Sequence, residues 1–377
     1  MSTHPIAIIG AGLAGAATAW ALARRGRDVV ILERSTPANH LGSSHGSARI
    51  LRYTYPDPFY TRLAIDARRG WDELEALRGE RLITPTGSLD YGATRDPAAL
   101  AAILDRHGIP HELLDAAGAA TRWPGFVFDG PVLWHEAAGV IDAEAAVLAM
   151  VALAVGEGAE LRTDWAAGRV LPQGKHYLVV SDAGETVVAS QVIVAAGGWL
   201  PAMLGDLGLP AETFDAFPPL EVRQEQALHF PYRAPEQVWP TFINKRSDIQ
   251  VYGLPGGRDA GFRGQKVAEY NGGRVIFSAL EHDRVIDPAR RDRLVDYVAR
   301  ALPGLVPEPY AETTCLFTNA PADEFIIDRV GGVTILSPCS GHGAKFAPML
   351  GELTARLLLG EDSGVARFRP LAALASA

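Results

Sequence analysis

Three glycines near the start of the chain have the spacing of a phosphate-binding loop. Gly10, Gly12 and Gly15 form the pattern Gly-x-Gly-x-x-Gly between an apolar run and an Ala-rich segment. In such a loop the first glycine permits a tight turn, the second lets the backbone approach a pyrophosphate, and the third lets a helix pack closely on a strand. The N–H groups at the start of that helix, at Leu13 and Ala14, would then face the phosphates.

An acidic residue follows at the distance that a dinucleotide site requires. Glu33 lies 23 positions after Gly10, at the end of the next apolar run. A carboxylate there accepts hydrogen bonds from ribose hydroxyls, and such charged bonds contribute about 1.5–3 kcal/mol. Because it would repel a 2′-phosphate, NADP is disfavoured. We include the adjacent Arg34 in the expected nucleotide site.

The glycine motif alone does not distinguish FAD from NAD. A second apolar run, residues 192–196, is followed by Gly197, Gly198 and Trp199. A second strand that ends in glycine deep in the chain is common in flavoproteins of this nucleotide fold. We therefore expect FAD, with Gly197 and Trp199 beside it.

These motifs need a sheet and helices to position them. Residues 6–32 predict a strand, a helix and a second strand, which is the opening of a doubly wound sheet. Apolar runs and alternation predict strands over residues 6–9, 28–32, 86–92, 192–196, 220–230, 249–254, 265–270 and 333–336. Apolar periodicity and capping residues predict helices over residues 13–25, 60–77, 142–155, 288–302 and 347–359.

Pieces typical of a nucleotide fold thus recur at the start, middle and end of the chain. The predicted class is α/β, a doubly wound FAD-binding domain with an interleaved mixed-sheet α+β substrate domain. We assign residues 1–83, 140–215 and 315–377 to the discontinuous FAD-binding domain. Residues 84–139 and 216–314 form the substrate domain in this prediction.

Composition excludes several classes of protein. The 377 residues are 48% hydrophobic, enough for two domains, and the net charge is −9 without a Lys/Arg-rich stripe, so we expect no nucleic-acid partner. The two cysteines, Cys315 and Cys339, indicate a reducing, cytoplasmic compartment, and no metal-ligand spacing is present. The apolar run at residues 6–23 contains three glycines and has no preceding positive charge, so we expect neither a signal peptide nor a membrane span.

Four further patterns carry reactive or charged side chains. They are Gly42-Ser-Ser-His-Gly46 followed by Arg49 and Arg52, Lys266 within residues 265–273, Cys315 within residues 313–328, and Ser340-Gly-His-Gly-Ala-Lys345. Together and in this order they resemble the monomeric sarcosine oxidase and N-methyltryptophan oxidase family of FAD-dependent amine oxidases. The resemblance spans nearly the whole chain, and residues 271–273 and 323–328 look closer to the N-methyltryptophan branch.

The resemblance implies a covalent flavin. In that family a cysteine forms a thioether to the 8α-methyl group of the flavin, and Cys315 stands at the matching position. The reaction needs a thiolate, so nearby cations should assist it. The alternative for Cys315 is an inert buried thiol, which is what we expect of Cys339.

The resemblance also implies roles for four basic residues. Lys266 matches a lysine that activates dioxygen; a cation about 4 Å from the developing anion, at a dielectric constant near 20, contributes about 4 kcal/mol, or about a thousandfold in rate. Arg52 and Lys345 match the pair that binds the substrate carboxylate. Arg49 matches a residue whose charge lies near the flavin ring. Ion pairs or surface exposure are the alternatives for these residues.

Further positions match the cofactor or substrate sites of the family. The expected contacts to the cofactor are Ser43, Ser44, His45, Gly341, His342 and Gly343. Tyr252 and Tyr55 match positions near the substrate. Tyr270 stands where sarcosine-specific members have a histidine, Ser44 replaces one of two histidines, and the loop at residues 256–264 differs, so the substrate side chain stays open.

The expected reaction is the oxidation of a secondary amine that has a carboxylate, such as sarcosine or N-methyltryptophan. It comprises hydride transfer to flavin, imine hydrolysis and reduction of O₂ to hydrogen peroxide. The expected partners are therefore a small amine and O₂, bound to a monomer. The alternatives are a cyclic imino acid or glycated amino acid as donor, a flavin dehydrogenase with another electron acceptor, and a nucleotide-binding protein without catalysis.

Overall fold

The computed structural model describes residues 3–234, 236, 239–362 and 364–372. The strands, in chain order, are β1 (Thr3–Ile9), β2 (Val29–Leu32), β3 (Arg49–Leu51), β4 (Ile83–Pro85), β5 (Ser88–Tyr91), β6 (Glu112–Leu114), β7 (Val132–His135), β8 (Gly139–Ile141), β9 (Glu160–Arg162), β10 (Ala167–Gln173), β11 (His176–Ser181), β12 (Thr186–Val194), β13 (Glu221–Pro231), β14 (Thr241–Lys245), β15 (Gln250–Pro255), β16 (Gly264–Glu269), β17 (Arg274–Ile276), β18 (Ala311–Asn319), β19 (Ile326–Val330) and β20 (Val333–Ser337). The α-helices are α1 (Leu13–Ala23), α2 (Pro58–Arg78), α3 (Pro97–Arg106), α4 (Ala116–Arg122), α5 (Ala143–Gly156), α6 (Leu200–Met203), α7 (Ala211–Ala216), α8 (Pro288–Ala301) and α9 (Ala347–Leu359).

The first sheet has the parallel centre of a doubly wound fold. Its strand order is β10-β11-β12-β1-β2-β9, and β20 pairs with β12 and with β19. Strand β1 is parallel to β2 and to β12, and β12 is parallel to β20. The carboxyl ends of β1, β2 and β12 therefore meet at one edge, where the chain continues into Gly10, Glu33 and Ala195.

Helices cover one face of this sheet, and the central helix α1 is apolar on all sides. Helix α1 packs against α5 and α9, and its residues are almost all buried. A Cβ on Gly351 of α9 would lie 2.4 Å from the carbonyl oxygen of Ala17, so α1 and α9 approach backbone to backbone. On the other face, Val30 and Val194 pack with Trp165.

The second sheet is mixed and runs in the order β17-β13-β16-β15-β14-β5-β7-β6, with β18 also paired to β13. Its pairs are antiparallel except β5 with β14, which are parallel. Helix α8 packs on this sheet through Leu294 and Val298, which contact a core that contains Phe230 and Val251. A small third sheet has the order β3-β8-β4.

The predicted α/β class with a mixed second sheet is confirmed. The predicted elements are present with ends shifted by three residues or fewer, except that β12 begins at Thr186, six residues before the predicted start. Helix α1 ends at Ala23, two residues before the predicted end. Asp287 caps α8 as expected, because its side chain accepts hydrogen bonds from the N–H groups of Ala289 and Arg290. No helix within the described ranges is both long and apolar enough to span a bilayer.

The strand that carries Cys315 belongs to the second sheet along its whole length. β18 pairs with β13 from Asn319, opposite Glu221, to Ala311, opposite His229. The domain boundary predicted at residue 315 therefore falls inside a strand. This strand brings Cys315 from the second sheet to the edge of the first.

Candidate active site

A cavity of about 610 Å³ is lined by residues of both sheets, a volume within the range of cofactor and substrate sites. It collects most of the predicted site residues, namely Gly10, Gly12, Leu13, Ala14, Glu33, Arg34, Ser43, Ser44, Arg49, Arg52, Gly197, Trp199, Tyr252, Lys266, Cys315, Gly341, His342, Gly343 and Lys345. Gly15 and His45 are the two predicted site residues that do not line it.

The glycine loop leaves space that side chains would fill. Gly10 has φ of +100°, and a Cβ there would lie 2.6 Å from the carbonyl oxygen of Ala195. A Cβ on Gly12 would lie 2.9 Å from Ser44 Oγ, inside the cavity wall. A Cβ on Gly15 would lie 1.9 Å from the carbonyl oxygen of Gly10. Gly15 therefore permits helix α1 to pack on the loop, which is the role that its position in the motif predicts.

Glu33 is fixed by the loop and keeps one acceptor position. Its Oε2 accepts the Ala11 N–H at 2.7 Å, while its Oε1 accepts the Ser35 N–H at 3.0 Å and Asn39 Nδ2 at 3.1 Å. A carboxylate oxygen accepts two hydrogen bonds, so Oε2 can still accept one from a ribose hydroxyl. The glycine cradle and this carboxylate together fit the adenosine half of a dinucleotide.

The polar loop after β2 closes the cavity over the helix start. Ser44 Oγ accepts the N–H of Leu13 at 3.0 Å, and Ser43 Oγ donates to the carbonyl oxygen of Leu316 on β18 at 2.6 Å. The Arg34 guanidinium lies 5.5 Å from the centre of the Trp199 ring. The loop thus ties the first sheet to the strand that carries Cys315.

Arg49 and Lys266 act electrostatically on the Cys315 thiol. Arg49 donates hydrogen bonds to the carbonyl oxygens of Ser43 and His45, both at 2.8 Å, so its charge is held in place. Burial raises the pKa of Cys315, while Arg49 and Lys266 lower it. The cations expected beside this cysteine are therefore present, although burial dominates the balance.

Lys266 is a buried ammonium group. It lies on β16 opposite Leu254, with 7% of the residue exposed. Burial, followed by the charge of Arg49, lowers the pKa of Lys266 to about 8. Within the described residues no carboxylate oxygen lies within 4 Å of its Nζ, so the alternative of an ion-paired or surface lysine does not apply.

A second group of cations lies around Tyr55. The Arg52 guanidinium lies 4.3 Å from the centre of the Tyr55 ring, and Lys345 Nζ lies 5.6 Å from it. Lys345 is 4% exposed and donates to the carbonyl oxygen of His342 at 2.7 Å. Burial, followed by the charge of Arg52, lowers the pKa of Lys345 well below its ordinary value. Such a pair favours binding of an anion.

His342 orients this group through both ring nitrogens. Its Nε2 is 2.9 Å from the carbonyl oxygen of Asp323, to which it donates, so its Nδ1 accepts the hydroxyl of Tyr55 at 3.2 Å. Burial lowers the pKa of His342 to about 3, so the ring is neutral near pH 7. The neutral ring stacks on Phe325, with 4.8 Å between centres.

Two tyrosines complete the wall on the second sheet. Burial raises the pKa of Tyr252 on β15 well above its ordinary value, so this hydroxyl stays protonated. Tyr270, after β16, donates to Asp323 Oδ2 at 3.2 Å. Gly341 has φ of +67°, and a Cβ there would lie 3.0 Å from the Tyr270 ring, so the backbone approaches this wall closely.

Comparisons with known proteins show the family of the chain. The sequence model of the DAO family, described as FAD dependent oxidoreductase, matches residues 5–357. The chain belongs to this family. The resemblance drawn from the four motifs is also confirmed, since monomeric sarcosine oxidase of Streptomyces avermitilis is 32% identical, over 95% of this chain and 94% of the relative. N-methyl-L-tryptophan oxidase of Salmonella enteritidis PT4 is 28% identical, over 96% of each chain.

Solved structures agree with the oxidoreductase fold. NikD, an unusual amino acid oxidase essential for nikkomycin biosynthesis, superposes with a TM-score of 0.86 at 24% identity, over 98% of each chain. L-proline dehydrogenase from P. horikoshii superposes with a TM-score of 0.82 at 19% identity, over 98% of this chain and 97% of that one. At these identities the likeness shows the fold alone.

The oxidoreductase cavity also contains charged residues that the sequence did not indicate. Lys245, Asp323, Glu324 and Arg367 line it, and so does Cys339, for which only burial was expected. Asp323 and Glu324 lie in the pattern around Cys315, but the pattern gave them no role, whereas Lys245 and Arg367 lie in no motif. The Cys339 Sγ accepts the Thr318 N–H at 3.4 Å.

His45 faces a different cavity of the oxidoreductase. This second cavity has a volume of about 400 Å³ and is also lined by His40, His229 and Asp259. Gly46 turns the chain here with φ of +77°, and the carbonyl group of His45 is bound to Arg49. His45 therefore lines this second cavity and not the first, where the sequence analysis had placed it in contact with the cofactor.

Proposed function

We propose that this FAD-dependent oxidoreductase oxidises a secondary amine that has a carboxylate, such as an N-methyl amino acid, with dioxygen as the electron acceptor. The observation that carries the proposal is the presence in one cavity of two separate pairs of cations, each with a buried lysine and a half-buried arginine. Arg52 and Lys345 form one set around Tyr55, and Arg49 and Lys266 form the other beside Cys315. Two relatives, monomeric sarcosine oxidase and N-methyl-L-tryptophan oxidase, support an N-methyl amino acid as the substrate.

Arg52 and Lys345 would hold the substrate carboxylate. A guanidinium offers two parallel N–H donors to a carboxylate, and an ammonium adds a point charge. Both groups border the Tyr55 ring, so the carboxylate would be fixed at one end of the cavity. Fixing that end orients the carbon to be oxidised and removes the entropic cost of a free encounter.

The same cations would favour the reactive form of the amine. Oxidation of an amine requires the neutral nitrogen with its lone pair. Nearby positive charges lower the pKa of a bound ammonium group, because they disfavour the charged form. Arg52 and Lys345 would therefore promote release of the amine proton as well as bind the acid group.

The second set would serve the cofactor and dioxygen. Bound FAD supplies the two-electron acceptor for the amine. Cys315 would hold the flavin through a thioether, with Arg49 nearby. Lys266 would place its charge beside dioxygen as it gains negative charge on the way to hydrogen peroxide. The two unpaired cysteines support a reducing, cytoplasmic location, and in this proposal the protein acts as a monomer.

The proposal is tested by supplying the holoenzyme with a panel of amines and measuring oxygen uptake and peroxide together. The panel contains sarcosine, N-methyl-L-tryptophan, pipecolate, a primary amino acid and N-methylated amines without a carboxylate. We expect peroxide from N-methyl amino acids and a kcat/KM at least about a hundredfold lower for amines without a carboxylate. Arg52→Gln should remove that preference. Equal rates with and without a carboxylate would contradict the proposal, and dye reduction without peroxide would indicate a dehydrogenase.

The covalent bond has its own test. After acid precipitation, Cys315→Ser should release all of its yellow cofactor, whereas the wild type should keep it in the pellet. Cys339→Ser is the matched control, because this second thiol also lines the cavity. It should keep its yellow cofactor in the pellet, as the wild type does. A tryptic peptide that contains Cys315 and has only the mass of its residues would refute the attachment.

A further inference from the structure

Lys245 is a third cation at the proposed amine site. It is the last residue of β14, and its Nζ lies 5.5 Å from the centre of the Tyr270 ring in the same cavity. Burial is the largest cause of the lowered pKa of both Lys245 and Lys345, and the charge of Arg52 adds to it in both cases, so both ammonium groups lie within the electrostatic reach of Arg52. The half-buried Lys245 thus faces the space beside the two carboxylate-binding residues.

Asp90 acts electrostatically on Lys245, and Glu324 lines the same cavity as Lys245, but both carboxylates are bound to other groups. Asp90 is buried and bound to the Arg95 guanidinium, with Nε 2.9 Å from Oδ1. Glu324 forms an ion pair with Arg367. These acids therefore balance cations other than Lys245.

Asp323 is the remaining acid that acts on Lys245. It is exposed, and it accepts the Tyr270 hydroxyl at 3.2 Å. Across the described part of the chain, no carboxylate oxygen lies within 4 Å of the Lys245 Nζ. Burial and the charges of Arg95 and Arg52 lower the pKa of Lys245 to about 8, as expected for a cation without a close counter-ion.

A substrate with one carboxylate would leave this charge unbalanced. Arg52 and Lys345 together suffice to bind a single acid group. A half-buried ammonium without a partner is unfavourable, and an aliphatic side chain at the same position would avoid that cost. The position of Lys245 is therefore explained by a second negative charge on the bound molecule.

We infer that Lys245 binds a second carboxylate, on the side chain of the substrate, which makes the substrate an N-alkylated amino dicarboxylate. This inference rests on the proposed function, because it takes Arg52 and Lys345 to bind the α-carboxylate. It assigns a specificity role to a residue of the second sheet. Substrates with a neutral side chain would still bind, but more weakly.

Equilibrium binding to the holoenzyme tests the inference without turnover. Succinate and butyrate have the same number of carbon atoms and differ by one carboxylate, and calorimetry gives their dissociation constants. We expect the wild type to bind succinate about tenfold to a hundredfold more tightly than butyrate. Lys245→Met should lose this preference and bind butyrate within about twofold of the wild type, which also shows that it folds.

Two further variants complete the design. Lys245→Arg should keep the preference, and Lys175→Met, in the exposed turn between β10 and β11, is a matched control that should leave it unchanged. The variants that keep the succinate preference should also keep a higher kcat/KM for N-methyl-L-glutamate than for sarcosine, and Lys245→Met should lose that difference. A wild type that binds both acids equally, or a Lys245→Met variant that still prefers succinate, would overturn the inference.

A purely structural role would give a different result. If Lys245 served only to balance Asp323, then Lys245→Met and Asp323→Asn would lower the melting temperature alike and leave the preference for succinate intact. If Arg52→Gln left butyrate binding unchanged, the proposed function itself would fail. Failure of the inference would thus appear as an unchanged succinate preference in Lys245→Met. Failure of the proposed function would appear as unchanged butyrate binding in Arg52→Gln.

Discussion

Replacing Lys266 with methionine separates the electrostatic role of this residue from its packing. Methionine keeps the length and apolar volume of the side chain but removes the charge. A cation about 4 Å from dioxygen, at an effective dielectric constant near 20, stabilises the developing anion by about 4 kcal/mol. We therefore expect kcat/KM for dioxygen to fall by about a thousandfold in Lys266→Met, with kcat/KM for the amine nearly unchanged.

The same substitution should stabilise the protein. The pKa of Lys266 is about 8 against the ordinary 10.5, and this difference of 2.5 corresponds to about 3 kcal/mol spent on holding the buried charge. Because the unfolded chain binds this proton more tightly, the cost is fully present below pH 8 and disappears as the pH rises to 10.5. Lys266→Met should raise the free energy of unfolding near pH 7 by about 1–3 kcal/mol and should lack that pH dependence.

An oxygen electrode at saturating amine and varied oxygen gives kcat/KM for dioxygen, and denaturant unfolding at pH 7 gives the free energy of unfolding. Lys266→Arg should retain most of the oxygen reactivity, and the exposed Lys175→Met should change neither quantity. The reasoning is refuted if Lys266→Met reacts with oxygen within about twofold of the wild type. A fall in stability together with equal losses in both kcat/KM values would show a packing role instead.

The remaining predictions concern the cofactor cradle and the helix contact. In a Cys315→Ser background, Glu33→Gln should weaken FAD binding about tenfold to a hundredfold, measured by titration of flavin absorbance, because an amide nitrogen cannot accept the N–H donors that Glu33 binds. Gly351→Ala should lower the free energy of unfolding by about 1–3 kcal/mol, since the new Cβ would meet the Ala17 backbone at 2.4 Å. Gly156→Ala, where nothing lies within 4 Å, is its control and should cause no loss.

The nucleotide half of the site could be predicted because its determinants are local. Gly10, Gly12, Gly15 and Glu33 lie within 24 consecutive residues, and a strand, a helix and a second strand connect them in a fixed geometry. The positions of Arg52, Lys266 and Cys315 in one cavity could be expected only from the family resemblance. No spacing along the chain relates these three residues.

The residues that were missed depend on pairing between distant segments. Lys245 reaches the cavity because β14 pairs in parallel with β5, which places Asn244 opposite Tyr91, and nothing in the local sequence indicates that pairing. His45 could not be placed either, because the turn at Gly46 and the hydrogen bonds of Arg49 decide where its side chain points. The position of His45 thus follows from loop conformation, which a residue pattern does not specify.

The place of Cys315 on β18 has a consequence for the biogenesis of the enzyme. The glycine loop follows β1 of one sheet, while this thiol lies 305 positions later on a strand of the other. A flavin joined to the thiol, with its pyrophosphate in the glycine loop, would bridge the two sheets through one covalent bond and a set of non-covalent contacts, and that bridge could form only after the last segments of the chain had docked. The flavin absorbance that remains with the denatured protein would then measure the fraction of molecules that completed assembly, and truncated or misassembled chains would stay colourless.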